Sequence, residues 1–233
     1  MVDEPLPLLV IPGLGLGPES WAPTLAALKH RGPTLVLRLP GYGEPAVPGT
    51  DLHPRSLAVA LLDGVPAGFG RLVVFGHSAS CQIAAHVAAM SPHRVAGLVM
   101  AGPTTDPRGA SWPRLATRWL ATAVHETPRQ VPALIPQYRR TTLRTMLRAI
   151  EAARGDSIED ALGRGRPRVL VVRGAHDHFC PEDWAAAVAG CSAVGSRVVT
   201  LPVGGHMVPL THGTAVAEVV RDFLADRTLR DTS

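Results

Sequence analysis

The sequence predicts an α/β fold with a mostly parallel central sheet of about six strands and helices on both faces. Three observations predict this class. Short apolar runs rich in Val, Leu and Ile alternate with segments of helical periodicity. These runs show little polar alternation, as expected of strands buried on both faces. The length of 233 residues suits one domain, or one domain with a sizeable insertion.

The predicted elements follow one another regularly outside one interval of the chain. The predicted strands are Leu6–Ile11, Thr34–Leu39, Arg71–Phe75, Val95–Met100, Arg168–Arg173 and Arg197–Leu201. The predicted helices are Trp21–His30, Leu52–Leu62, Ser80–Met90, Trp184–Ala189 and Thr214–Ala225. Because helical segments separate consecutive strands, the strands are expected to run parallel and to end at one edge of the sheet.

The exceptional interval, residues 104–166, contains no strand pattern and is called the insertion here. Its helical segments are split by four prolines, Pro113, Pro128, Pro132 and Pro136. An insertion between two strands of such a sheet lies over their carboxyl ends, where ligands bind. We therefore expect residues 1–103 and 167–233 to form the core, and the insertion to form a helical cap that follows the fourth predicted strand.

The composition disfavours several classes of protein. With 46% hydrophobic and 18% charged residues, the chain has the composition of a soluble globular protein. No apolar stretch reaches the roughly 20 residues that a membrane span needs. The N-terminal sequence MVDEPLPLLV lacks the basic and apolar regions of a secretory signal, so a cytoplasmic location is expected.

The basic and aromatic content disfavours nucleic-acid binding, and the cysteines favour a reducing compartment. The formal net charge is +4, and all but one of the 23 basic residues are arginine, which together with abundant Ala, Gly and Pro indicates a coding bias. Aromatic residues, at 4%, are too few for base-stacking platforms, so no nucleic-acid partner is expected. Cys81, Cys180 and Cys191 lack metal-ligand spacing, and their odd number favours reduced thiols.

A glycine-rich turn, PGLGLG at residues 12–17, follows the first predicted strand. Such turns hold negative charge, because backbone N–H groups can crowd together where no Cβ interferes. A dinucleotide fingerprint that begins at Gly13 would require glycine where Pro18 stands, and an acidic residue where Arg38 stands. The turn therefore fits a cofactor's pyrophosphate poorly, and the oxyanion of a reacting acyl group is the better alternative.

The sequence GHSAS, residues 76–80, stands between a strand pattern and a helix pattern. A serine at the tip of so sharp a turn has a strained backbone and an exposed Oγ, and the residues two positions away must be small. The usual pattern is G-x-S-x-G, and Ser80 replaces its last glycine with another small residue. Ser78 is therefore the candidate nucleophile, and it needs a base because a serine hydroxyl is nearly inert at neutral pH.

Two partners of this serine are expected further along the chain, first an acid and then a histidine. Asp177 follows a predicted strand in VLVVRGAHDHFCP, and His206 follows the last predicted strand in VVTLPVGGHMVP. Ser78, Asp177 and His206 thus stand in the required order, each at the carboxyl end of a different strand. Asp106 is an alternative acid, and His212 is a poor substitute for His206.

These motifs resemble those of the α/β-hydrolase fold superfamily over nearly the whole chain. They are PGLG in the first loop, LPGYGE after the second strand, GHSAS, GAHDHFCP and GGHMVP. The likeness is greatest to small, capped, cofactor-free hydrolases that lack the first two strands of longer members. Pro12 stands where the first loop usually has histidine, and Arg38 where the second loop usually has aspartate.

The resemblance implies a role for each candidate residue. Ser78 is the nucleophile, His206 is the base and then the acid, and Asp177 orients the imidazole and stabilises its charged form. The backbone N–H groups of Leu14 and Ala79 form an oxyanion hole, in which one hydrogen bond is worth about 3 kcal/mol of barrier. The resemblance implies no cofactor and no metal.

Two further groups of residues in the sequence have alternative interpretations. His176 and His178 flank the acid, but a lone H-D-H without a second ligand cluster is a weak metal motif. Three arginines at i, i+4 and i+8 are expected on one face of a helix: Arg140, Arg144 and Arg148. They are either solvated or bind a carboxylate or phosphate of the substrate. Four apolar residues are expected to pack inward or line the pocket from the other face: Leu143, Met146, Leu147 and Ile150.

The sequence as a whole therefore predicts a serine hydrolase that cleaves a carboxylic ester, thioester or lactone through an acyl-serine intermediate. Its partner is expected to be a small molecule with a partly apolar acyl group. The same three residues support C–C bond hydrolysis, lyase and cyclisation chemistry in this superfamily, so an enzyme of that kind is the alternative. A non-catalytic binding protein is a third hypothesis, and the presence of all three residue types disfavours it. The sequence indicates no oligomeric state.

Overall fold

A parallel six-stranded sheet forms the centre of the structure, a computed structural model that describes residues 4–193 and 195–229. Its strands are β1 (Leu8–Ile11), β2 (Thr34–Val36), β5 (Leu72–His77), β6 (Val95–Ala101), β7 (Val169–Gly174) and β8 (Arg197–Leu201), and the short strands β3 (Leu39–Pro40) and β4 (Gly43–Glu44) pair separately. The spatial order is β2-β1-β5-β6-β7-β8. The predicted fold class is confirmed.

The second strand is shorter than the sequence pattern predicts. It ends at Val36 instead of Leu39, because the chain turns away from the sheet there and Leu39 pairs with Gly43 in the small ladder. The turn uses Gly41 and Gly43 at φ +89° and +95°, which a side chain would disfavour.

Helices cover both faces of the sheet. They are α1 (Ala22–Leu28), α2 (Pro54–Asp63), α3 (Ser80–Met90), α4 (Trp112–Ala123), α5 (Val131–Thr141), α6 (Leu143–Arg154), α7 (Ile158–Gly165), α8 (Glu182–Gly190), α9 (Val208–Thr211) and α10 (Gly213–Leu224). In the described ranges of the chain, none of them is long and apolar enough to cross a membrane.

The core has two layers because side chains alternate across each strand. In β1, Leu8 and Val10 pack with residues of α1 and α10, whereas Leu9 and Ile11 pack with residues of α2, α3, α7 and α8. All four side chains are fully buried, and each such burial contributes about 1.5–3 kcal/mol. The sheet is therefore held from both sides and gives its carboxyl edge a fixed geometry.

The insertion provides α4 to α7, between β6 and β7. Helix α7 packs closely against α3: a Cβ on Gly165 would lie 2.9 Å from the carbonyl carbon of Ala88. Helix α4 is much less covered, and Thr122 is its buried residue.

The prolines of the insertion divide it less than the sequence predicts. Pro113 and Pro132 lie in the first turns of α4 and α5, where a missing N–H costs nothing, and Pro128 begins a 3₁₀ turn. The expectation that Pro136 splits a helix is wrong, because this residue lies inside α5. Tertiary contacts hold that helix: Gln137 accepts the Gly17 N–H at 2.8 Å.

Candidate active site

Ser78 occupies the tip of the turn between β5 and α3. Its φ of +59° is left-handed, a conformation that costs a non-glycine residue about 1–2 kcal/mol and that the surrounding structure must enforce. The Ser78 N–H donates to the Ala101 carbonyl at 2.9 Å. A Cβ on Gly76 would lie 2.9 Å from the Cα of Cys81, which explains why a small residue stands there. The strained elbow expected from GHSAS is present.

Ser80 strengthens this turn instead of crowding it. Its side chain is fully buried, and its Oγ accepts the His77 N–H at 2.8 Å. The hydroxyl can donate to the carbonyl oxygen of His77 at 2.9 Å or to that of Ile11 at 3.1 Å. The second contact ties the elbow to the end of β1, where the glycine-rich turn begins.

The structure brings the three candidate catalytic side chains together. His206, in the loop after β8, places Nε2 2.8 Å from the Oγ of Ser78 and Nδ1 2.9 Å from Oδ2 of Asp177, in the loop after β7. Asp177 is buried, and its Oδ1 accepts the N–H groups of Phe179 and Cys180 at 3.0 and 3.1 Å. Both carboxylate oxygens therefore have donors.

The local charges favour an ionised acid and a basic histidine. Burial raises the pKa of Asp177, but the charge and hydrogen bond of His206 outweigh it, together with the Cys180 N–H and Arg173, so the pKa lies below its ordinary value. Burial lowers the pKa of His206, but Asp177 and the charge of Glu126 outweigh it, so the pKa lies above its ordinary value. The imidazole is thereby suited to accept a proton.

Arg173, near the end of β7, holds the loop that carries Asp177. It is buried, and its guanidinium donates to the carbonyl oxygen of Cys180 at 2.6 Å, to that of Asp177 at 3.2 Å and to Oγ1 of Thr200 at 3.3 Å. This residue is not among the site residues predicted from the sequence. Its signal was a charged residue at the end of the apolar run VLVV.

Glu126 holds the loop that carries His206. It lies in the turn after α4, and its Oε1 accepts the N–H of His206 at 2.6 Å and that of Met207 at 2.9 Å. Its Oε2 accepts from Nε2 of Gln130 at 3.0 Å. Glu126 is not among the predicted site residues either, and no local pattern in the sequence marks it.

His77 supports His206 from below. The two rings lie 5.1 Å apart, and Nε2 of the buried His77 donates to the carbonyl oxygen of His206 at 3.0 Å. Burial, with the nearby His206, lowers the pKa of His77 to about 3, so the ring is neutral. His77 thus packs beneath the His206 ring and anchors the backbone of that residue.

The two backbone N–H groups expected at an oxyanion hole belong to residues that line the same cavity as Ser78. Ala79 follows Ser78 directly, and Leu14 lies in the glycine-rich turn. The turn is fixed by a hydrogen bond from the Gly15 N–H to Gly41 O at 2.8 Å. Within residues 4–193 and 195–229, the N–H groups of Leu14 and Ala79 have no acceptor.

The alternative acid and base lie elsewhere in the hydrogen-bond network. Asp106 pairs with Arg108 at 2.9 Å and with Arg118 at 2.7 Å, and thus fastens the start of the insertion. His212 places Nδ1 2.8 Å from Oγ1 of the neighbouring Thr211. Neither residue joins the Ser78 network.

The histidines beside the acid form ring contacts. His176 stacks on His125 with centroids 4.3 Å apart, and His178 lies 5.9 Å from the same ring. In the described part of the chain, no group of three or more His, Cys, Asp or Glu side chains is arranged to hold a metal ion.

The prediction that the three arginines lie on one face of a single helix is wrong. The chain breaks at Thr142, which has φ +69° and whose side chain caps α6, so Arg140 belongs to α5 while Arg144 and Arg148 belong to α6. Arg140 pairs with Glu19 at 2.9 Å, and Arg148 donates to a backbone carbonyl at 2.7 Å. None of the three arginines lines the cavity.

A cavity of about 760 Å³ opens above Ser78. Its walls from the insertion are mainly apolar and include Trp112, Trp119, Leu134, Tyr138, Met146 and Ile150. Two of the four apolar residues expected here, Leu143 and Leu147, instead point to solvent, at 70% and 45% exposure. Apart from histidines, Glu126 is the charged residue in the lining.

A parallel α/β sheet whose carboxyl edge carries a hydrogen-bonded serine, histidine and aspartate defines the class of α/β-fold hydrolases. The model of the alpha/beta hydrolase family matches residues 8–219, and the chain belongs to this family. The predicted superfamily is confirmed, and the coarse function is that of a hydrolase. No curated protein matches the sequence.

Solved structures show the same fold at low sequence identity. A hydrolase from Oleispira antarctica has a TM-score of 0.78 and 14% identity, covering 97% of this chain and 92% of that one. A thermophilic esterase from Thermogutta terrifontis has a TM-score of 0.72 and 20% identity, with 98% and 92% coverage. A structure from work on carboxylesterases of the Thaumarchaeon Nitrososphaera gargenis has a TM-score of 0.74 and 16% identity, with 98% and 92% coverage.

Proposed function

We propose that the chain is a serine hydrolase that cleaves a carboxylic ester, thioester or lactone through an acyl-serine intermediate. The catalytic residues in this proposal are Ser78, His206 and Asp177. The observation that carries it is the continuous series of hydrogen bonds, at 2.8 and 2.9 Å, from the serine hydroxyl through the imidazole to the buried carboxylate. The esterase and carboxylesterase activities named for two of the similar structures agree with this reaction class.

The proposed reaction begins when Oγ of Ser78 attacks the substrate's carbonyl carbon while Nε2 of His206 takes the hydroxyl proton. The carbonyl π electrons move to oxygen, and the N–H groups of Leu14 and Ala79 donate to that oxyanion. The tetrahedral intermediate then collapses, the bond to the leaving group breaks, and His206 gives its proton to the leaving oxygen or sulfur. An acyl ester on Ser78 remains.

Water completes the cycle by the same steps. His206 takes a proton from water as the water oxygen attacks the acyl carbon, and the proton then returns to Oγ of Ser78 as the free acid forms. Asp177 keeps its charge throughout and stabilises the imidazolium in each half-reaction. Its buried, fully hydrogen-bonded carboxylate suits that constant role.

The cavity suggests the kind of acyl group. Its volume and apolar walls suit a largely apolar substrate, with the carbonyl at Ser78 and the remainder among side chains of the insertion. We propose that the insertion, residues 104–166, forms the helical cap and that residues 1–103 and 167–233 form the core; helices α4, α5 and α6 of the cap line the cavity, and α7 packs against α3. Arg140, Arg144 and Arg148 are absent from the lining, which argues against a role for them in binding a carboxylate or phosphate of the substrate.

The test combines labelling with turnover. A fluorophosphonate probe should label the wild-type protein and fail to label Ser78→Ala, and aryl esters of increasing acyl length should be hydrolysed by wild type only. His206→Ala should lose both reactions, whereas the matched control His212→Ala should keep them. Labelling that persists in Ser78→Ala would overturn the proposal. Labelling of Ser78 with no turnover of any ester or thioester would instead favour C–C hydrolase, lyase or cyclase chemistry at the same residues.

A further inference from the structure

The backbone around His206 is held from two sides by side chains that carry no part of the proposed proton transfer. Its carbonyl oxygen accepts from Nε2 of His77 at 3.0 Å, a contact within the core. Its N–H donates to Oε1 of Glu126 at 2.6 Å, and the Met207 N–H donates to the same oxygen at 2.9 Å. The second contact comes from the insertion, about 80 residues away in sequence.

The loop before His206 has a contact with the loop after β7, where the Gly204 carbonyl oxygen accepts the His176 N–H at 3.0 Å, but its own sequence gives it little rigidity. It contains two adjacent glycines, Gly204 with φ +84° and Gly205, and glycine loses more backbone freedom on ordering than any other residue. A Cβ on Gly205 would lie 2.6 Å from Oε1 of Glu126, so this glycine is what lets the carboxylate reach the backbone. Glycine at position 205 thus makes the loop less rigid, but it lets the Glu126 carboxylate reach the loop's backbone.

We propose that Glu126 is a positioning residue for His206, which ties the turn after α4 to the histidine loop and so keeps the imidazole within reach of Ser78. This inference rests on the proposed function, since it assigns Glu126 a part in the same reaction. The carboxylate acts through the backbone of His206 and does not contact the reacting atoms. Catalytic activity then depends on the position of the insertion. Its helix α4 is little buried apart from Thr122, so the contact of Glu126 with the histidine loop also helps to hold α4 in place.

The charge of Glu126 adds a second effect, on proton affinity. The titratable groups in contact with His206 are Asp177 at its ring, His77 beneath its ring and Glu126 at its backbone. Glu126 is one of the causes that raise the pKa of His206, so removing its charge should lower that pKa. Since neutral His206 is the active base, the acid limb of the pH profile should then move to lower pH.

Two variants separate the anchor from the charge. Glu126→Gln keeps an oxygen that can accept both N–H groups but has no charge, whereas Glu126→Ala has neither. For Glu126→Gln we expect kcat near the wild-type value and an acid limb of kcat/KM at lower pH. For Glu126→Ala we expect kcat to fall about 10- to 100-fold with little change in KM, and the labelling rate of Ser78 by a fluorophosphonate to fall in parallel. Glu218→Ala, at an exposed site on α10, is the control.

The outcomes bear on the two proposals separately. Wild-type kcat and an unshifted pH profile in both Glu126 variants would show that this carboxylate only packs, while labelling of wild type and not of Ser78→Ala would leave the hydrolase proposal intact. Thermal unfolding checks that the variants fold. Should Glu126→Ala fail to fold, Glu126→Met, which fills the space of the side chain but accepts neither N–H group, decides: wild-type kcat in that variant overturns the positioning role. An acid limb of Glu126→Gln that coincides with wild type overturns the charge effect.

Discussion

Replacing Gly102 with alanine tests the proposed catalytic geometry without substituting any of the three catalytic residues. Gly102 follows β6 with φ +53°, and a Cβ there would lie 2.7 Å from Oδ2 of Asp177 and 2.9 Å from Nδ1 of His206. Ordinary contacts begin at 3.4 Å, so the carboxylate and the imidazole must move by about 0.5–0.7 Å to admit the methyl group. The methyl group therefore enters the space beside the hydrogen bond that joins them.

The expected loss follows from this displacement. A misplacement of about 1 Å in a catalytic group costs on the order of 100-fold in rate, so kcat should fall about 10- to 100-fold, which is about 1.4–2.7 kcal/mol of barrier. KM should change little, because Gly102 does not line the cavity. The left-handed backbone of an alanine adds about 1–2 kcal/mol of strain, so the free energy of unfolding should also fall.

The measurement is steady-state hydrolysis of an aryl ester, with thermal unfolding beside it. Gly70→Ala is the matched control, because Gly70 also has a left-handed φ, of +47°, but nothing lies within 4 Å of the added Cβ. That variant should lose stability and keep kcat. A folded Gly102→Ala protein with wild-type kcat would refute the assignment of Asp177 and His206 as a working pair.

Three further predictions concern residues that support the site. Ser80→Ala leaves the buried His77 N–H without its acceptor and should lower the free energy of unfolding by about 1–3 kcal/mol, measured by urea denaturation. Arg173→Met removes the donors to the carbonyl oxygens of Asp177 and Cys180 and should destabilise by about 2–4 kcal/mol, with lower kcat. His77 is buried with its pKa lowered to about 3, so as pH falls from about 6.5 the unfolded chain binds a proton that the folded chain does not. Stability should therefore fall by about 1 kcal/mol more per pH unit than in His77→Gln, in denaturation series from pH 6.5 towards pH 4.

Each of these three has an outcome that contradicts it. An unchanged denaturation midpoint in Ser80→Ala would mean that water or another group replaces the lost acceptor. Arg173→Met should be compared with Arg197→Met, at the exposed start of β8, and equal stability of the two variants would remove the bracing role. Parallel stability curves for wild type and His77→Gln would show that the His77 ring can take up a proton in the folded state.

The sheet and the three central side chains could be predicted because their signals are local. Each strand is a short apolar run; Ser78 follows β5 directly, and Asp177 and His206 lie in the loops that follow β7 and β8. Parallel strands end at one edge of a sheet, so three residues that follow three strand ends lie along the same edge of the sheet. The elbow adds a strict local requirement for small neighbours, which the sequence satisfies at Gly76 and Ser80.

The residues that the sequence analysis missed act over long distances in the chain. Glu126 meets the histidine loop only through the placement of the whole insertion, and nothing in its neighbours marks it. The expected arginine stripe failed for a related reason: periodicity continued through Thr142, while the capping hydroxyl and left-handed φ of that residue ended one helix and began another. Pro136 shows the reverse, since tertiary contacts keep a helix intact where local preference would break it.

The distribution of charge leads to a last prediction, on substrate choice. The protein is basic overall, with a formal net charge of +4, but Arg140, Arg144 and Arg148 all lie outside the cavity, and the carboxylate of Glu126 lines it near His206. Among apolar walls, a carboxylate on the acyl group would lose its hydration without gaining a cation. An ester with a terminal carboxylate should therefore show kcat/KM at least about 10-fold below that of its neutral methyl-capped counterpart. The double variant Arg144→Gln, Arg148→Gln should leave that ratio unchanged, and a ratio that changes in it would place these arginines in substrate binding after all.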